Sequence, residues 1–577
     1  MNSCIRTLPA FVLVLVLAAP AAAGEDAATR VKAAIEEVMK ARGLGALSGP
    51  GCAISVTDSE RSLFSGGVGS ANIEHQIPFG PQTVSESGSV AKQFMAASIL
   101  MLAEQGRLSL EDDVRRHLPE LPDHGDKIRI YDLIHQTSGL REWSTLAALR
   151  GYPRHYRKIY VLDDLLKLVS SQHALNFKPG ARYEYSNSNY GLLTVILERV
   201  SGMSANEFGE RYIFAPLGMR STRWRDDHRT IVANRAIAYR RSADGFEHAM
   251  PMESVYGHGA LLTTAEDLQR WNRALLGGGL SPFVRQHMLT PGKLRNGEER
   301  AYGAGIRLDT YRGRAVYRHG GVTAGYTAQV WTFPAERVSI AFLCNLQPGD
   351  TGQIAARIAD AALGIAASPG EQPPEATANV VAPDDVAATY FQSTSGEVVA
   401  VKSQGDRTFV NLFTRSGFMD VVASEIPGVL TASRPMYGTL QFRYDSPDRI
   451  VVSLEGRERT AFSRMASAKP SLAIAGRYAS ADLKAAYDVW QQGDGYRMDL
   501  ADRDADDPLR FRLEWLNGDT FLARIETRSG YIRDDFVVTF SSVTDRSKVV
   551  MRLSSVAGLQ GVDLLELTRI TESVAAP

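Results

Sequence analysis

The order in which strand-like and helix-like patterns follow one another restricts this 577-residue chain more than any other feature. Helical spacing from Asp26 to Arg42 is broken by Gly49-Pro50-Gly51, and two strand-like runs follow, Cys52 to Thr57 and Arg61 to Val68. Residues 93 to 290 are then mostly helical in pattern. Strands return at Ala315 to Arg318, Tyr326 to Phe333 and Val338 to Asn345, before a helix from Gly352 to Gly364. Strands at both ends of a helical stretch bury their apolar faces only by coming together. The pattern therefore predicts an α+β fold in which one antiparallel five-stranded sheet is flanked by helices.

The segment Ala367 to Glu375 is rich in proline and glycine and reads as a linker, taken here as 367–383. Beyond it come only short alternating strands with frequent turns, which indicate sheet sandwiches or barrels. This tail repeats at an offset of 88: Tyr390 falls on Tyr478, Gln404-Gly405-Asp406 on Gln492-Gly493-Asp494, and Leu412 on Leu500. Two related antiparallel units are expected, 384–466 and 467–577, behind a first domain of 24–366. At the N-terminus, Arg6, the apolar run Phe11 to Ala19 and Ala21-Ala22-Ala23 read as a signal peptide, 1–23, cleaved after Ala23. That run is too short for a stable membrane anchor, so the expected location is secreted or periplasmic.

With 64 basic and 65 acidic side chains, no global charge recruits nucleic acid or an anionic membrane. The expected partner is a small-molecule or peptide substrate. Only Cys52 and Cys344 remain after signal removal, too few for a zinc site or a disulfide framework, and no metal or other cofactor is expected.

The chemistry-bearing residues fall inside the first domain. Ser89-Val90-Ala91-Lys92 heads a long apolar segment and places a hydroxyl and an amine one helical turn apart. A helix N-terminus there favours negative charge on a reacting oxygen and disfavours the protonated amine, which is how serine becomes a nucleophile without histidine. Tyr185-Ser186-Asn187 supplies a phenol and an amide in one loop. His319-Gly320-Gly321 precedes a strand-like run, and its glycines let that strand approach a substrate.

In these motifs the chain resembles the serine β-lactamase and penicillin-binding-protein superfamily, in its class C-like branch of D-aminopeptidase, D-alanyl-D-alanine carboxypeptidase and esterase-like members. The resemblance spans roughly residues 48 to 365. It includes Gln136-Thr137-Ser138-Gly139-Leu140, Phe177-Lys178-Pro179-Gly180, Pro216-Leu217-Gly218-Met219, the run Leu262 to Leu268 with Trp271, and Asn345. It implies a β-lactamase-like domain followed by two antiparallel β-barrels. Ser89 would form an acyl-enzyme, with Lys92 and Tyr185 sharing the role of base. Asn187, His319, Gly321 and Val322 would face the substrate, and the N–H groups of Ser89 and Val322 would form the oxyanion hole. The implied pairing of first and last strands puts Cys52 opposite Cys344. A disulfide is plausible there, and a buried pair of free thiols is the ordinary alternative.

True β-lactamases carry Lys-Thr-Gly where this chain has His319-Gly320-Gly321. A histidine near its reference pKa is mostly neutral at pH 7 and would hold a substrate carboxylate less well. Histidines 135 and 258 are read as structural, the second as solvent-exposed or packing, and Tyr190 as core. The acidic turns Asp502 to Asp507 and Asp534-Asp535 are read as solvated hairpin tips, the alternative being a substrate-ammonium contact. The expected activity is an exported serine hydrolase acting on amides or esters, with D-amino-acid peptides or small esters as substrates. The alternatives are a D-alanyl-D-alanine carboxypeptidase or weak β-lactamase, and a penicillin-binding or ligand-sensing protein with little turnover.

Overall fold

The computed structural model describes residues 26–365 apart from 60, 153, 155–157, 243 and 348–350. It also describes residues 388–571 apart from 393–397, 405–406, 412–418, 424–428, 435–437, 455–459, 466–470, 502–508, 527–535, 543–548 and 556–564. The expected signal segment, the linker and both acidic turns lie outside the described residues.

The central sheet is antiparallel and joins the two ends of the first domain, as expected, but it has six strands where five were expected. They are β1 (Cys52–Asp58), β2 (Arg61–Val68), β3 (Arg307–Tyr311), β4 (Arg314–Thr323), β5 (Tyr326–Phe333) and β6 (Val338–Cys344), in the order β3-β4-β5-β6-β1-β2. The extra strand is β3. It is short, charged and at the sheet edge, where polar side chains guard against further pairing, so it carries almost no hydrophobic signal. Arg312 and Gly313 turn it into β4, both at positive φ (46° and 78°), the arrangement a tight hairpin requires.

Alternation along β6 divides the core. Ile340 and Phe342 pack with Ile54 and Val56 against α1 (Ala27–Ala41) and the C-terminal helix Thr351–Leu363, through Val31, Ile35, Ile354 and Ile358. Ala341 and Leu343 belong to the opposite core, which contains α2 (Lys92–Glu104), α3 (Trp143–Leu149), α4 (Leu162–Ser170) and α5 (Asn187–Ser201). In the register β1 to β6, Cys52 stands directly opposite Cys344, and the two form a disulfide.

Two closed eight-stranded barrels follow, Thr389–Phe391 through Thr460–Arg464 and Gly476–Ser480 through Leu565–Thr571. The repeat seen in the sequence has a structural counterpart. Tyr390 and Tyr478 lie on the first strand of their barrels, both fully buried, and each donates its hydroxyl to a backbone carbonyl, Pro447 at 3.1 Å and Ile474 at 2.8 Å. The second barrel shares an apolar cluster with the helical core of the first domain. Among the described residues, no helix is long and apolar enough to cross a membrane.

Candidate active site

Ser89 lies in a 3-10 turn, Gly88–Ala91, and not yet in the α-helix, which starts at Lys92. The tighter turn still places residues three apart on one side. It leaves Ser89 half-buried and Lys92 completely buried. The Lys92 amine is 3.1 Å from Ser89 Oγ, 2.7 Å from Asn187 Oδ1 and 2.6 Å from the carbonyl oxygen of His258. It also sits 4.8 Å from the centre of the Tyr185 ring.

Burial pushes the Lys92 pKa well below that of a free lysine; the Glu142 carboxylate works against this and Arg154 adds to it. Burial pushes the Tyr185 phenol well above its ordinary value, with Tyr302 adding to the effect and Ser89 opposing it through hydrogen bonding. Both groups are held towards their neutral forms.

Glycine governs the approach of β4 to this turn. A Cβ on Gly88 would fall 2.5 Å from the Val322 nitrogen, and one on Gly321 would fall 1.9 Å from the Ser87 carbonyl oxygen and 2.9 Å from the Ser89 nitrogen. Gly88 is also at φ +51°. Only two residues without side chains let the N–H groups of Ser89 and Val322 come together, as an oxyanion site needs.

His319 is buried on β4. Its Nδ1 donates to the Gly320 carbonyl at 2.6 Å, so Nε2 accepts from the Tyr302 hydroxyl at 3.3 Å. Burial first, then the charge of Lys92, lowers its pKa to about 3.

Three contributors carry no recognisable sequence signal. Glu142 is a fully buried carboxylate that accepts from Ser186 Oγ (3.0 Å), Asn187 N (2.6 Å) and Ser144 Oγ (2.7 Å). It caps α3 and sits at the start of α5, where both helix dipoles favour its charge. Tyr302 lies edge-on to Tyr185, with ring centres 6.3 Å apart. Arg307 opens β3, bridges to Tyr302 through its backbone, and acts electrostatically on Tyr183, Tyr185, Tyr302 and His319. Its guanidinium has no hydrogen bond or ion pair with a described residue.

That motif builds the floor of the site. Gln136 Oε1 accepts from Ser186 N at 3.0 Å, and the Ser138 hydroxyl donates to Asn189 Oδ1 at 2.6 Å, which holds the Tyr185 loop onto α5. His258 is buried, so a solvent-exposed reading does not hold, and its backbone carbonyl is what meets Lys92. Tyr190 is core, its hydroxyl donating to Ile134 O at 2.9 Å. Behind Glu142 lies a chain of buried ions. Arg154 donates to Glu253 at 2.7 Å, Arg225 to Glu86 at 2.8 Å, and Arg235 lies 3.6 Å from Glu86. Counted without Lys92, the charges of Glu142, Arg154, Glu253, Arg225, Glu86 and Arg235 balance.

The family model described as Beta-lactamase matches residues 31–364, more than half of the chain. A D-aminopeptidase of Gluconobacter oxydans is 29% identical over 333 residues, 57% of this chain and 62% of that protein. Penicillin-binding protein 4* of Bacillus subtilis is 29% identical over 300 residues, 49% of this chain and 65% of that protein. The chain thus spans less than two thirds of the length of these curated relatives. The structure of an octameric penicillin-binding protein homologue from Pyrococcus abyssi superposes with a TM-score of 0.54 at 20% identity, covering 75% of this chain and 99% of that one. D-amino acid amidase from Ochrobactrum anthropi superposes at 0.51 and 21%, covering 59% and 99%. At such identities the two superpositions speak to the fold.

Proposed function

The chain belongs to the beta-lactamase family, and from that premise we propose that it is an exported serine hydrolase that opens amide or ester bonds through an acyl-enzyme on Ser89. The observation that carries this reading is the coordination of Lys92. A neutral amine has two N–H bonds and one lone pair. The Asn187 and His258 oxygens take the two N–H bonds, and the lone pair is left facing Ser89 Oγ. Burial and the charge of Arg154 favour the same neutral form, against Glu142. Ser89 Oγ attacks the substrate carbonyl carbon while its proton passes to Lys92. The carbonyl oxygen takes the negative charge between the Ser89 and Val322 N–H groups. Tyr185, held as a phenol, donates its proton to the leaving nitrogen or oxygen and regains one from Lys92. Water attacks the ester by the reverse relay.

The D-aminopeptidase relative supports D-amino-acid amides or short peptides as substrates. The N-terminal run of Arg6, the apolar Phe11 to Ala19 and Ala21-Ala22-Ala23, together with the Cys52–Cys344 disulfide, supports an oxidising, exported location. Intact-mass spectrometry after a fluorophosphonate tests the nucleophile: the adduct is expected on wild type and absent from Ser89→Ala. Paired D- and L-alanine p-nitroanilides test the substrate class, and preference for the L form would overturn it.

Arg307 favours a second reading. His319 is buried and neutral, so it does not offer a charge, but Arg307 is a cation beside the phenols with no acid bound to it. That arrangement suits a substrate carrying a free carboxylate, as a D-alanyl-D-alanine carboxypeptidase requires. Arg307→Gln would then raise KM for acyl-D-alanyl-D-alanine and leave neutral esters unchanged; equal effects on both exclude this reading.

A further inference from the structure

The second barrel touches the first domain at one segment that the chemistry depends on. Its turn Ser480–Ala485 enters between the end of α4 and the stretch leading into α3. The main-chain carbonyl of Asp482 accepts from Ser171 Oγ at 3.1 Å and Gln172 Nε2 at 2.9 Å. Its carboxylate accepts from His173 N at 3.2 Å, meets His173 Nδ1 at 2.9 Å, and lies 3.5 Å from Arg141 Nη1. Arg141 is 3% exposed and also donates to Gln172 Oε1 at 2.9 Å. Leu483 is buried in the shared core, and the Tyr487 hydroxyl donates to Leu149 O at the end of α3.

Both ends of the stretch Arg141–Leu149 are therefore held by the barrel. What lies within it is the support of Lys92. The Arg141 carbonyl accepts from Ser188 Oγ at 2.7 Å in the first turn of α5, Trp143 N donates to that same hydroxyl at 2.8 Å, and Glu142 accepts from Asn187 N. Asn187 Oδ1 then takes one N–H of Lys92. From Asp482 to Lys92 every step is a direct polar contact or a peptide bond.

We propose that Asp482 of the second barrel is a positioning residue for acyl transfer, acting through Arg141 and Glu142 to keep Asn187 in register with Lys92. The inference rests on the acyl-transfer reading. It makes the distant barrel a part of the catalytic unit, not only a neighbour that shapes access. If the clamp loosens, water reaches Lys92. Burial is the largest influence on that amine, ahead of Glu142 and Arg154, while Tyr185 from the loop before α5, Tyr190 from α5 and His319 from β4 face it. Relief of burial raises its affinity for a proton.

The test uses the full chain with Asp482→Asn, and Tyr487→Phe as a milder variant that removes one hydroxyl. Expected for Asp482→Asn are a fall in kcat of about ten- to a hundredfold, as small misplacements of reacting groups produce, and a KM within about twofold of wild type. The acid limb of kcat should move to higher pH. Asp482→Asn in an Arg141→Gln background should cost nothing further, because both break one path. Lower thermal stability with an unchanged kcat and pH profile would overturn the proposal and leave a structural contact. Absence of fluorophosphonate labelling on wild type would instead remove the acyl-transfer reading itself, so the two failures are distinguishable.

Discussion

The first domain and the second barrel bury different things. The first domain encloses Lys92, Glu142, Glu86, Arg225 and Gln136. In the barrel, the buried positions are almost all apolar, such as Tyr478, Val489, Met498, Phe511 and Leu567, and ion pairs such as Arg552–Glu566 lie at the surface. Burying charge is costly unless every partner is supplied. The first domain accepts that cost around the candidate site and also elsewhere, as at Asp267 with Arg270 and Asp360 with Arg312, whereas among the described residues the barrel largely avoids it. Buried charge therefore distinguishes the first domain, which holds the candidate site, from the second barrel.

The largest effect that would break this contrast is catalytic. Ser89→Ala should lower turnover of any accepted substrate by at least about 10³-fold while the melting temperature stays within a degree or two, because the nucleophile is lost and no buried pair is broken. Steady-state rates beside a thermal scan check both halves. Substantial turnover by the variant would remove Ser89 from the reaction.

A stability comparison comes next. Glu86→Gln strands Arg225, at 2.8 Å and 1% exposed, and should cost about 3–5 kcal/mol. In the barrel, Glu566→Gln breaks a pair 33% and 58% exposed and should cost roughly 0–1 kcal/mol. Equal shifts in denaturant midpoint would dissolve the distinction between the two regions.

Gly321→Ala should reduce kcat by about 10²-fold, since the methyl group would force β4 away from the Ser89 turn and open the proposed oxyanion site. Gly493→Ala, at a turn of the second barrel where a Cβ meets nothing within 4 Å, should leave kcat unchanged and lose a little stability through its φ of +58°.

The smallest effect is a difference in pH response. Burial lowers His135 to about 4 and His319 to about 3 in the first domain. Unfolded histidine binds protons more readily than these do, so their contribution is intact above the ordinary histidine pKa near 6.5 and is lost as pH falls from there towards 3. Burial raises Asp499 of the second barrel to about 6. Its contribution runs the other way, present at low pH and lost as pH rises through about 6. Hydrogen exchange at pH 7 and pH 5 should show first-domain protection falling on acidification, while Asp499→Asn should flatten the barrel's opposite trend.

Much of this was legible in the chain. Ser89, Lys92, Tyr185, Asn187 and His319 announce themselves because nucleophile, amine, phenol and amide must recur in short motifs, and glycine must stand where backbones touch. The sheet formed from both ends of the domain follows from hydrophobic period, and the doubled β-unit from the 88-residue repeat, while its closure into barrels was implied only by the family resemblance. The strand β3 did not, since an edge strand of charged residues has no apolar face to read. Glu142, Tyr302 and Arg307 were equally silent.

The sequence by itself determined which groups are available to react and which segments alternate, because local spacing and residue chemistry are properties of short stretches. Tertiary structure alone decided how those groups are charged. The lysine amine is stripped of water by burial, the histidine that looked like a pH-sensitive contact is held neutral by burial, and a carboxylate from a barrel more than 300 residues away secures the arginine beside Glu142. Desolvation and charge pairing depend on everything packed around a group, and that set of neighbours exists only once the chain is folded.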